Sequence, residues 1–437
     1  MNPTAHILSV DHSGRGVARP GGKTTFIANA LPHETVRYRI TQHKAGFDEA
    51  EAEDILVPSP HRRTPRCPHY GECGGCSWQH VAFEAQVALK QRIFEEQLWR
   101  IGKTVPETLL PPVYGSETHY RERARLTVSS DGNGRLAVGY QARQSHRTVP
   151  VRQCLLLPAA VSSALPALRD GLQALYDSAP DCGLDAVEIH CSGRHAALTL
   201  HLRRRQPENA LRRLSGCLNG ASDGLVWQIW QKTGSRPAEP SFPAEPPPLA
   251  YRLPEYGITM PYRVGDFTQI NSATNALMVS RTLGLLDPQP HERIADLFCG
   301  LGNFSLPLAR SGAAVHGIEG EAALTRRARS NARANGIGNA VFSTADLFRT
   351  TPAVLSGWGR FDKILLDPPR AGAHALVQSL HAPYLPQRIA YVSCNPATLA
   401  RDAAVLAQKG YCLRTAGIFN LFAQTAHVEA VALFELG

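Results

Sequence analysis

The sequence has no apolar run that approaches the ~18 consecutive residues needed to span a bilayer. Its first residues, MNPTAH, lack a basic segment followed by an apolar stretch, so they do not resemble a secretory signal. Acidic residues are in deficit, since 37 Asp and Glu stand against 46 Lys and Arg. We therefore expect no membrane span, no export and a cytoplasmic location. The excess of basic residues should attract polyanions, but it does not show which polyanion binds.

Cysteine is present, but not in a setting that predicts disulfides. Ten cysteines in 437 residues without a signal sequence fit a reducing compartment, where thiols bind metals, catalyse or pack. Apolar residues make up 43% and charged residues 19% of the chain, which excludes a disordered protein. The length predicts two to four domains.

Three regions with different patterns follow one another. Residues 1–60 contain four or five short strands between Gly, Pro and Asp turns, which predicts a small OB-like β-barrel. Apolar residues alternate along 34–40, and Gly14 and Gly16 punctuate the first predicted loop. Residues 61–270 mix strands and helices, with an extended, loop-like segment at 234–250 that holds six prolines. Residues 271–437 alternate strands with helices. This predicts an α/β fold class, with a doubly wound, Rossmann-like C-terminal domain after the barrel and a central α+β domain.

Residues suited to a nucleotide-like ligand follow the first three strands of the C-terminal region. Gly300 and Gly302 allow a tight turn, but Ser305 stands where a dinucleotide fingerprint has its third glycine. Glu319 ends the second strand, where a carboxylate accepts hydrogen bonds from ribose hydroxyls. Asp346 follows the third strand, where an acid reaches an adenine edge. This ordered set favours S-adenosylmethionine over NAD.

Reactive side chains follow the next strands. The two prolines after Asp367 give a rigid strand exit toward the ligand edge of the sheet. Cys394 stands at the same edge, a place that favours a nucleophile over a packed thiol. Methylation of uracil explains why a thiol would share a cleft with a methyl donor. C5 of uracil becomes nucleophilic once a thiolate adds to C6, and a base must later remove the C5 proton. Glu429, which opens the last strand, is the best-placed base; the alternative is an exposed strand residue.

Three clustered cysteines have metal-ligand spacing. Cys67, Cys73 and Cys76 form C-x5-C-x2-C, with glycines between them that permit tight wrapping. Spacing alone does not separate a zinc site from an iron–sulfur cluster. A radical S-adenosylmethionine enzyme is disfavoured, because the C-x3-C-x2-C spacing is absent.

Four segments carry a family resemblance. The sequences DLFCGLGNF, DPPR, SCNPATLAR and HVE, which begin at residues 296, 367, 393 and 427, resemble those of the RNA 5-methyluridine methyltransferases. Outside 234–250, the whole chain resembles the iron–sulfur-containing bacterial 23S ribosomal RNA uracil-C5 methyltransferases of that family. The resemblance implies a TRAM domain at 1–60, a cluster-bearing domain at 61–270 and a methyltransferase domain at 271–437.

The resemblance also implies roles for individual residues. Cys394 is the nucleophile and Glu429 the general base. The implied contacts to S-adenosylmethionine are Gln269, Phe298, Asn303, Glu319, Asp346 and Asp367. A [4Fe–4S] cluster, with zinc as the alternative, is implied on Cys67, Cys73, Cys76 and Cys154.

The implied partner is 23S ribosomal RNA, and no membrane or obligate protein partner is expected. A single SCNP cysteine without a companion Pro-Cys favours uracil over cytosine. Two other functions stay open. The first is methylation of uracil in transfer RNA, and the second is a non-catalytic role in RNA binding or ribosome assembly. Seven arginines between 121 and 152 either contact RNA or form a solvated face.

Overall fold

The computed structural model describes residues 2–437, which form two compact units. The first unit is built from residues 2–70, 76–115 and 347–437, and the second from residues 71–75 and 116–346. Within residues 2–437, no helix is both long and apolar enough to cross a membrane. The predicted domain limits at 60 and 270 stay predictions, since compact units and functional domains need not coincide.

The first unit opens with a six-stranded sheet. Its core contains Ile7, Ile27, Val36 and Tyr38, and the apolar residues alternate along the strands as predicted. The structure adds a strand that starts at Gly16, in a stretch predicted to be a loop. In spatial order the strands are Thr4–His6, Thr35–His43, Phe47–Val57, Thr24–Ala28, Gly16–Ala18 and Ser9–Val10.

The rest of the first unit combines helices with a mixed sheet. Lys363–Leu366 pairs in parallel with Arg388–Ser393, which pairs antiparallel with Glu429–Leu436. Tyr411–Asn420 pairs antiparallel with that last strand and in parallel with two short strands, Thr108–Leu109 and Val113–Tyr114. The helices are Phe83–Gln97, which continues as a π turn at Leu98–Gly102, then Pro352–Gly357, His374–Ser379 and Pro396–Gln408.

The second unit contains a seven-stranded sheet covered by two helices, Ala159–Ser178 and Glu208–Ala221. Leucines of both helices pack against the sheet, as expected for helices with one apolar face. In spatial order the strands are Thr148–Pro150, Leu136–Gln141, Arg123–Ser130, Ala186–Ser192, His195–Leu202, Val226–Thr233 and Glu239–Phe242.

The proline-rich segment 234–250 differs from its prediction. It is not entirely loop, because Glu239–Phe242 forms the last strand of this sheet and pairs with Val226–Thr233. Proline is tolerated there because an edge strand needs ladder donors on one side only. Pro240 lies opposite Trp230 in this pairing.

The second unit also carries the first βα repeats predicted from the sequence. Arg293–Leu297, Ala314–Glu319 and Ala340–Thr344 form a parallel sheet. The sequence predicts these three strands at 293–298, 314–319 and 340–343, within one residue of the observed bounds. A hairpin and three helices accompany them: Leu249–Leu253 and Ile258–Tyr262, then Ser272–Leu286, Ser305–Arg310 and Ala322–Ala334.

A buried ion pair joins the N-terminal sheet to the segment that follows it. The Glu34 carboxylate is fully buried; it accepts hydrogen bonds from Arg62 Nε (2.5 Å) and Nη2 (2.8 Å) and from the backbone N–H of Leu31 and Ser59. We expect Glu34→Gln to lower the free energy of unfolding by about 3 kcal/mol, because it leaves a guanidinium without its counter-charge in a buried site.

The matched control is Asp54→Asn. The Asp54 carboxylate pairs with Arg37, and both side chains are about half exposed, so its loss is worth less than about 1 kcal/mol. Urea titrations of both variants measure the two differences. Equal effects in the two variants would contradict the assignment of Glu34 as a structural anchor.

Candidate active site

Cys394 lies on a tight turn between a buried strand and a helix. The strand Arg388–Ser393 ends one residue before it, and the helix Pro396–Gln408 begins two residues after it. The Asn395 side chain caps the helix by accepting a hydrogen bond from the Ala397 N–H at 3.2 Å. The Ser393 hydroxyl accepts from the Asn395 N–H at 3.1 Å, which closes the turn. The thiol is thereby held at the end of the strand, partly buried.

The helix after Cys394 also holds the loop that follows Asp367. Three side chains bind three backbone groups of the loop: Asn395 Nδ2 donates to Arg370 O (3.0 Å), Arg401 Nη2 donates to Ala371 O (3.0 Å), and Asp402 Oδ2 accepts from Ala373 N (2.8 Å). Asp402, fully buried in that helix, also accepts a hydrogen bond from the Tyr391 hydroxyl at 2.7 Å. The loop and the nucleophile turn are therefore fixed to the same helix.

Strand register brings Glu429 to Cys394. Ser393 pairs with Ala430 in the antiparallel ladder, so the next residues on each side, Cys394 and Glu429, lie opposite one another. Glu429 is 2% exposed, so it is not the solvent-facing strand residue that the sequence left as an alternative. The structure thus brings together Cys394, Glu429 and Asp367, whose sequence positions span more than 60 residues.

These neighbours set the protonation of the pair. Burial, and then the nearby Glu429 and Asp367 carboxylates, raise the pKa of the Cys394 thiol to about 12, while the Arg370 guanidinium acts to lower it. Burial, and then the Asp367 charge, raise the pKa of Glu429 well above its usual range. Without a bound substrate, the surroundings of both groups therefore favour their protonated forms.

The predicted cofactor residues of the second unit cluster around the glycine turn. Gly300 and Gly302 have φ values of +56° and +99°, and the Gly300 N–H donates to Glu319 Oε2 at 3.0 Å. Phe298 has φ +66°, an unusual value for a side chain of this size. Asp346 stands two residues after the strand Ala340–Thr344.

Asn303 and Gln269 are linked by residues that sequence reasoning missed. Asn303 forms a reciprocal amide pair with Asn275, with distances of 2.9 and 3.0 Å, and its Oδ1 also accepts from the Tyr251 hydroxyl at 2.9 Å. Tyr251 lines a small pocket together with Gln269 and the buried His190. Tyr251, Asn275 and His190 fall outside any motif of the sequence, so only the fold could reveal them.

The four predicted metal cysteines are all partly buried. In the second unit, Cys154 Sγ lies 3.9 Å from the Tyr140 hydroxyl, and charges on Cys154 and Cys73 both add to the effect of burial in raising the pKa of Tyr140. In the first unit, the Cys67 N–H donates to Gln79 Oε1 at 3.2 Å. Across residues 2–437, no group of three or more His, Cys, Asp or Glu side chains is arranged to hold a metal ion.

Comparison with known proteins decides the family. Residues 251–436 match the family model described as tRNA (Uracil-5-)-methyltransferase. The chain is 50% identical over 434 residues to the 23S rRNA (uracil(1939)-C(5))-methyltransferase RlmD of Neisseria lactamica, an alignment that covers 99% of this chain and 95% of that protein. This chain belongs to the RlmD family. The RlmD protein of Thiobacillus denitrificans is 46% identical, with 100% of both chains covered.

A solved structure agrees with the fold. The tRNA (uracil-54, C5)-methyltransferase of Pyrococcus abyssi, crystallised with S-adenosyl-L-homocysteine, matches with a TM-score of 0.75 over 99% of both chains. At 21% identity it shows a shared α/β methyltransferase fold. The fold class predicted for the C-terminal region and the predicted membership of the RlmD family are therefore confirmed.

The raised pKa of Cys394 generates a test. A rise from 9.0 to about 12 leaves about a thousandfold less thiolate at pH 7, so alkylation of Cys394 should be slow at neutral pH and accelerate as pH rises. Glu429→Gln removes a charge that raises this pKa, so alkylation between pH 8 and 10 should become faster. Arg370→Ala removes a charge that lowers the pKa, so alkylation should become slower.

Mass spectrometry of the peptide that contains Cys394 measures these rates. Lys409→Met serves as the control, because the Lys409 ammonium donates to the backbone carbonyls of Gln378 and Leu380, away from Cys394. A Cys394 that reacts at pH 7 as fast as a small-molecule thiol would contradict the assigned electrostatics.

Proposed function

We propose that this protein methylates C5 of a specific uridine in 23S ribosomal RNA with S-adenosylmethionine as the methyl donor. The observation that carries the proposal is the pairing of Cys394 with Glu429 across the strand register, beside Asp367. The RlmD proteins, 45–50% identical over 99% or more of this chain, support the choice of RNA. Bacterial ribosomal RNA is cytoplasmic, so the proposal includes that location.

The proposed reaction uses Cys394 first. Its thiol gives its proton to water, which the Arg370 charge favours, and the thiolate Sγ forms a bond to C6 of uracil. The electron pair of the C5=C6 bond moves toward C5, which takes the methyl group as S-adenosylhomocysteine leaves. Glu429 gives its own proton to water and then, as a carboxylate, removes the C5 proton; the C5=C6 bond re-forms and the C6–S bond breaks, which releases Sγ as a thiolate. A raised pKa makes Glu429 a stronger base for that step.

The methyl donor is proposed to bind at the glycine turn and the residues around it. Glu319, Asn303 and Gln269 already stand near this turn or line the adjoining pocket, and Phe298, Asp346 and Asp367 complete the predicted set. The Gly300 N–H bond to Glu319 orients that carboxylate before any ligand arrives. This preorganisation reduces the ordering that binding requires.

We also propose that Cys67, Cys73, Cys76 and Cys154 hold a [4Fe–4S] cluster. The donor chemistry fits, since four thiolates suit iron–sulfur clusters and zinc. The convergence of Cys73 and Cys154 on Tyr140 supports a shared site within the second unit. The cluster would shape the surrounding RNA-binding segments, together with the N-terminal sheet, which we propose to be a TRAM domain.

The cluster proposal predicts an iron-containing protein. Anaerobic purification should give a brown protein with about four iron atoms per chain and broad absorption near roughly 400 nm. Cys154→Ala should lose the iron, whereas Cys217→Ala, which changes an exposed thiol, should keep it. A colourless protein with stoichiometric zinc would favour the four-cysteine zinc alternative.

The methylation proposal predicts different failures for the two catalytic residues. Cys394→Ala should transfer no labelled methyl group to 23S ribosomal RNA and should form no covalent complex. Glu429→Gln should methylate the base once and remain attached to it, as a slow-migrating species that resists denaturation. Gel analysis and product mapping measure both.

Parallel reactions with transfer RNA test the nearest alternative substrate. Methyl transfer to transfer RNA but not to 23S ribosomal RNA would replace the proposed substrate. Turnover by Cys394→Ala would overturn the covalent mechanism, and no transfer to either RNA by the wild-type protein would favour a non-catalytic factor.

A further inference from the structure

The loop that delivers Glu429 to the site is held by a buried lysine. Residues 421–428 connect the strand Tyr411–Asn420 to the strand that begins at Glu429. Lys90, in the helix Phe83–Gln97, is 0% exposed, and its Nζ donates to Asn420 Oδ1 (2.7 Å) and Phe422 O (2.9 Å). The lysine thus binds the last residue of one strand and the beginning of the loop.

A glutamine one turn earlier on the same helix face binds the middle of the loop. Gln86, fully buried, donates from Nε2 to Gln424 Oε1 at 3.0 Å and accepts at Oε1 from the Gln424 N–H at 2.8 Å. The backbone N–H groups of Ser77 and Trp78 both donate to Gln424 O at 3.0 Å. The side-chain oxygen, the backbone N–H and the backbone carbonyl of Gln424 are therefore all bound by residues of the segment 77–90.

Gln424 adopts a backbone conformation that needs such support. Its φ of +66° lies in the left-handed region, which is unfavourable for a residue with a side chain. Strained residues of this kind persist when surrounding contacts determine their conformation, and they concentrate at functional loops. Here the contacts come from Gln86, Ser77 and Trp78, and the loop ends at the proposed base.

Burial of the Lys90 ammonium group is energetically unfavourable. Burial lowers the pKa of its ammonium group to about 7, and the same burial would favour an apolar residue of equal length. A methionine would pack in the same volume without that desolvation. What the lysine adds is a pair of directed hydrogen bonds to the loop before Glu429.

We propose that Lys90 and Gln86 are positioning residues that hold residues 421–428 so that the Glu429 carboxylate reaches the C5 proton. This inference rests on the proposed function, since it assigns the two residues to the Glu429 step alone. Neither residue touches the substrate in this proposal. Attack by Cys394 and methyl transfer precede that step, so loosening the loop should slow proton removal selectively.

Lys90→Met tests the proposal in the full-length, cluster-loaded protein. The substrate is 23S ribosomal RNA transcribed with 5-tritiated uridine, in single-turnover reactions with S-adenosylmethionine. Tritium release should fall by about tenfold or more, because a small displacement of a catalytic group has effects of this size. Methyl transfer should stay within about threefold of wild type, and the denaturation-resistant complex should accumulate.

Two companion variants keep the test decisive. Gln424→Gly accommodates the left-handed backbone, so it should fold, yet it removes the side-chain bond to Gln86. It should also slow tritium release more than methyl transfer. Lys409→Met, which likewise removes two hydrogen bonds from a lysine to carbonyl oxygens, should leave both rates unchanged.

The Glu429→Gln variant distinguishes failure of this inference from failure of the proposed function. If Glu429→Gln turns over and traps no complex, another group is the base, and the Glu429 step of the proposed function is wrong. If Glu429→Gln traps the complex while folded Lys90→Met and Gln424→Gly release tritium at the wild-type rate, the positioning role is overturned. Equal losses of methyl transfer and tritium release in both variants would also overturn it, in favour of a general structural role.

Discussion

The antiparallel pairing of Arg388–Ser393 with Glu429–Leu436 is the constraint on which the proposed chemistry depends. A shift of this register by one residue would turn Glu429 to the opposite face of the sheet. Both strands are almost completely buried, and residues such as Val392 and Val431 fix which face each side chain occupies. Packing of the sheet therefore sets the geometry of the reactive pair.

Two helices hold the segments next to these paired strands, one on the side of Cys394 and the other on the side of Glu429. The helix after Cys394 and its cap bind three backbone groups of the Asp367 loop through Asn395, Arg401 and Asp402. The helix Phe83–Gln97 binds the loop before Glu429. Nucleophile and base thus rest on separate supports. A two-step reaction can use such independence, since each group must act at a different stage.

Much of this arrangement could be predicted from the sequence, because its strands are short apolar runs that end at reactive residues. Cys394, Asp367 and Glu429 stand at or beside strand ends, and short apolar runs bounded by turn residues reveal the existence of those strands. The supports could not be found this way. Lys90, Gln86 and Tyr251 look like ordinary polar residues in their local sequence, and their burial arises from contacts with distant segments.

The errors in the prediction have the same origin. Proline was expected to prevent any strand within 234–250, yet Glu239–Phe242 forms one, because its place at the sheet edge is a property of the tertiary structure. Gly16 was expected in a loop, but it begins a short strand. Glycine there avoids a clash, since a Cβ would lie 2.9 Å from side-chain carbons of Ile7 and Ala30.

The first unit draws its segments from both ends of the chain, and this affects the order in which it can fold during synthesis. The helix Phe83–Gln97 leaves the ribosome more than 300 residues before Asn420 and Gln424, its hydrogen-bonding partners. Until those residues emerge, the amide of Gln86 and the ammonium of Lys90 remain hydrated and the unit stays incomplete. A nascent chain interrupted before Asn420 would leave the apolar residues of the first unit exposed to solvent. Quality-control proteases would degrade such an incomplete chain.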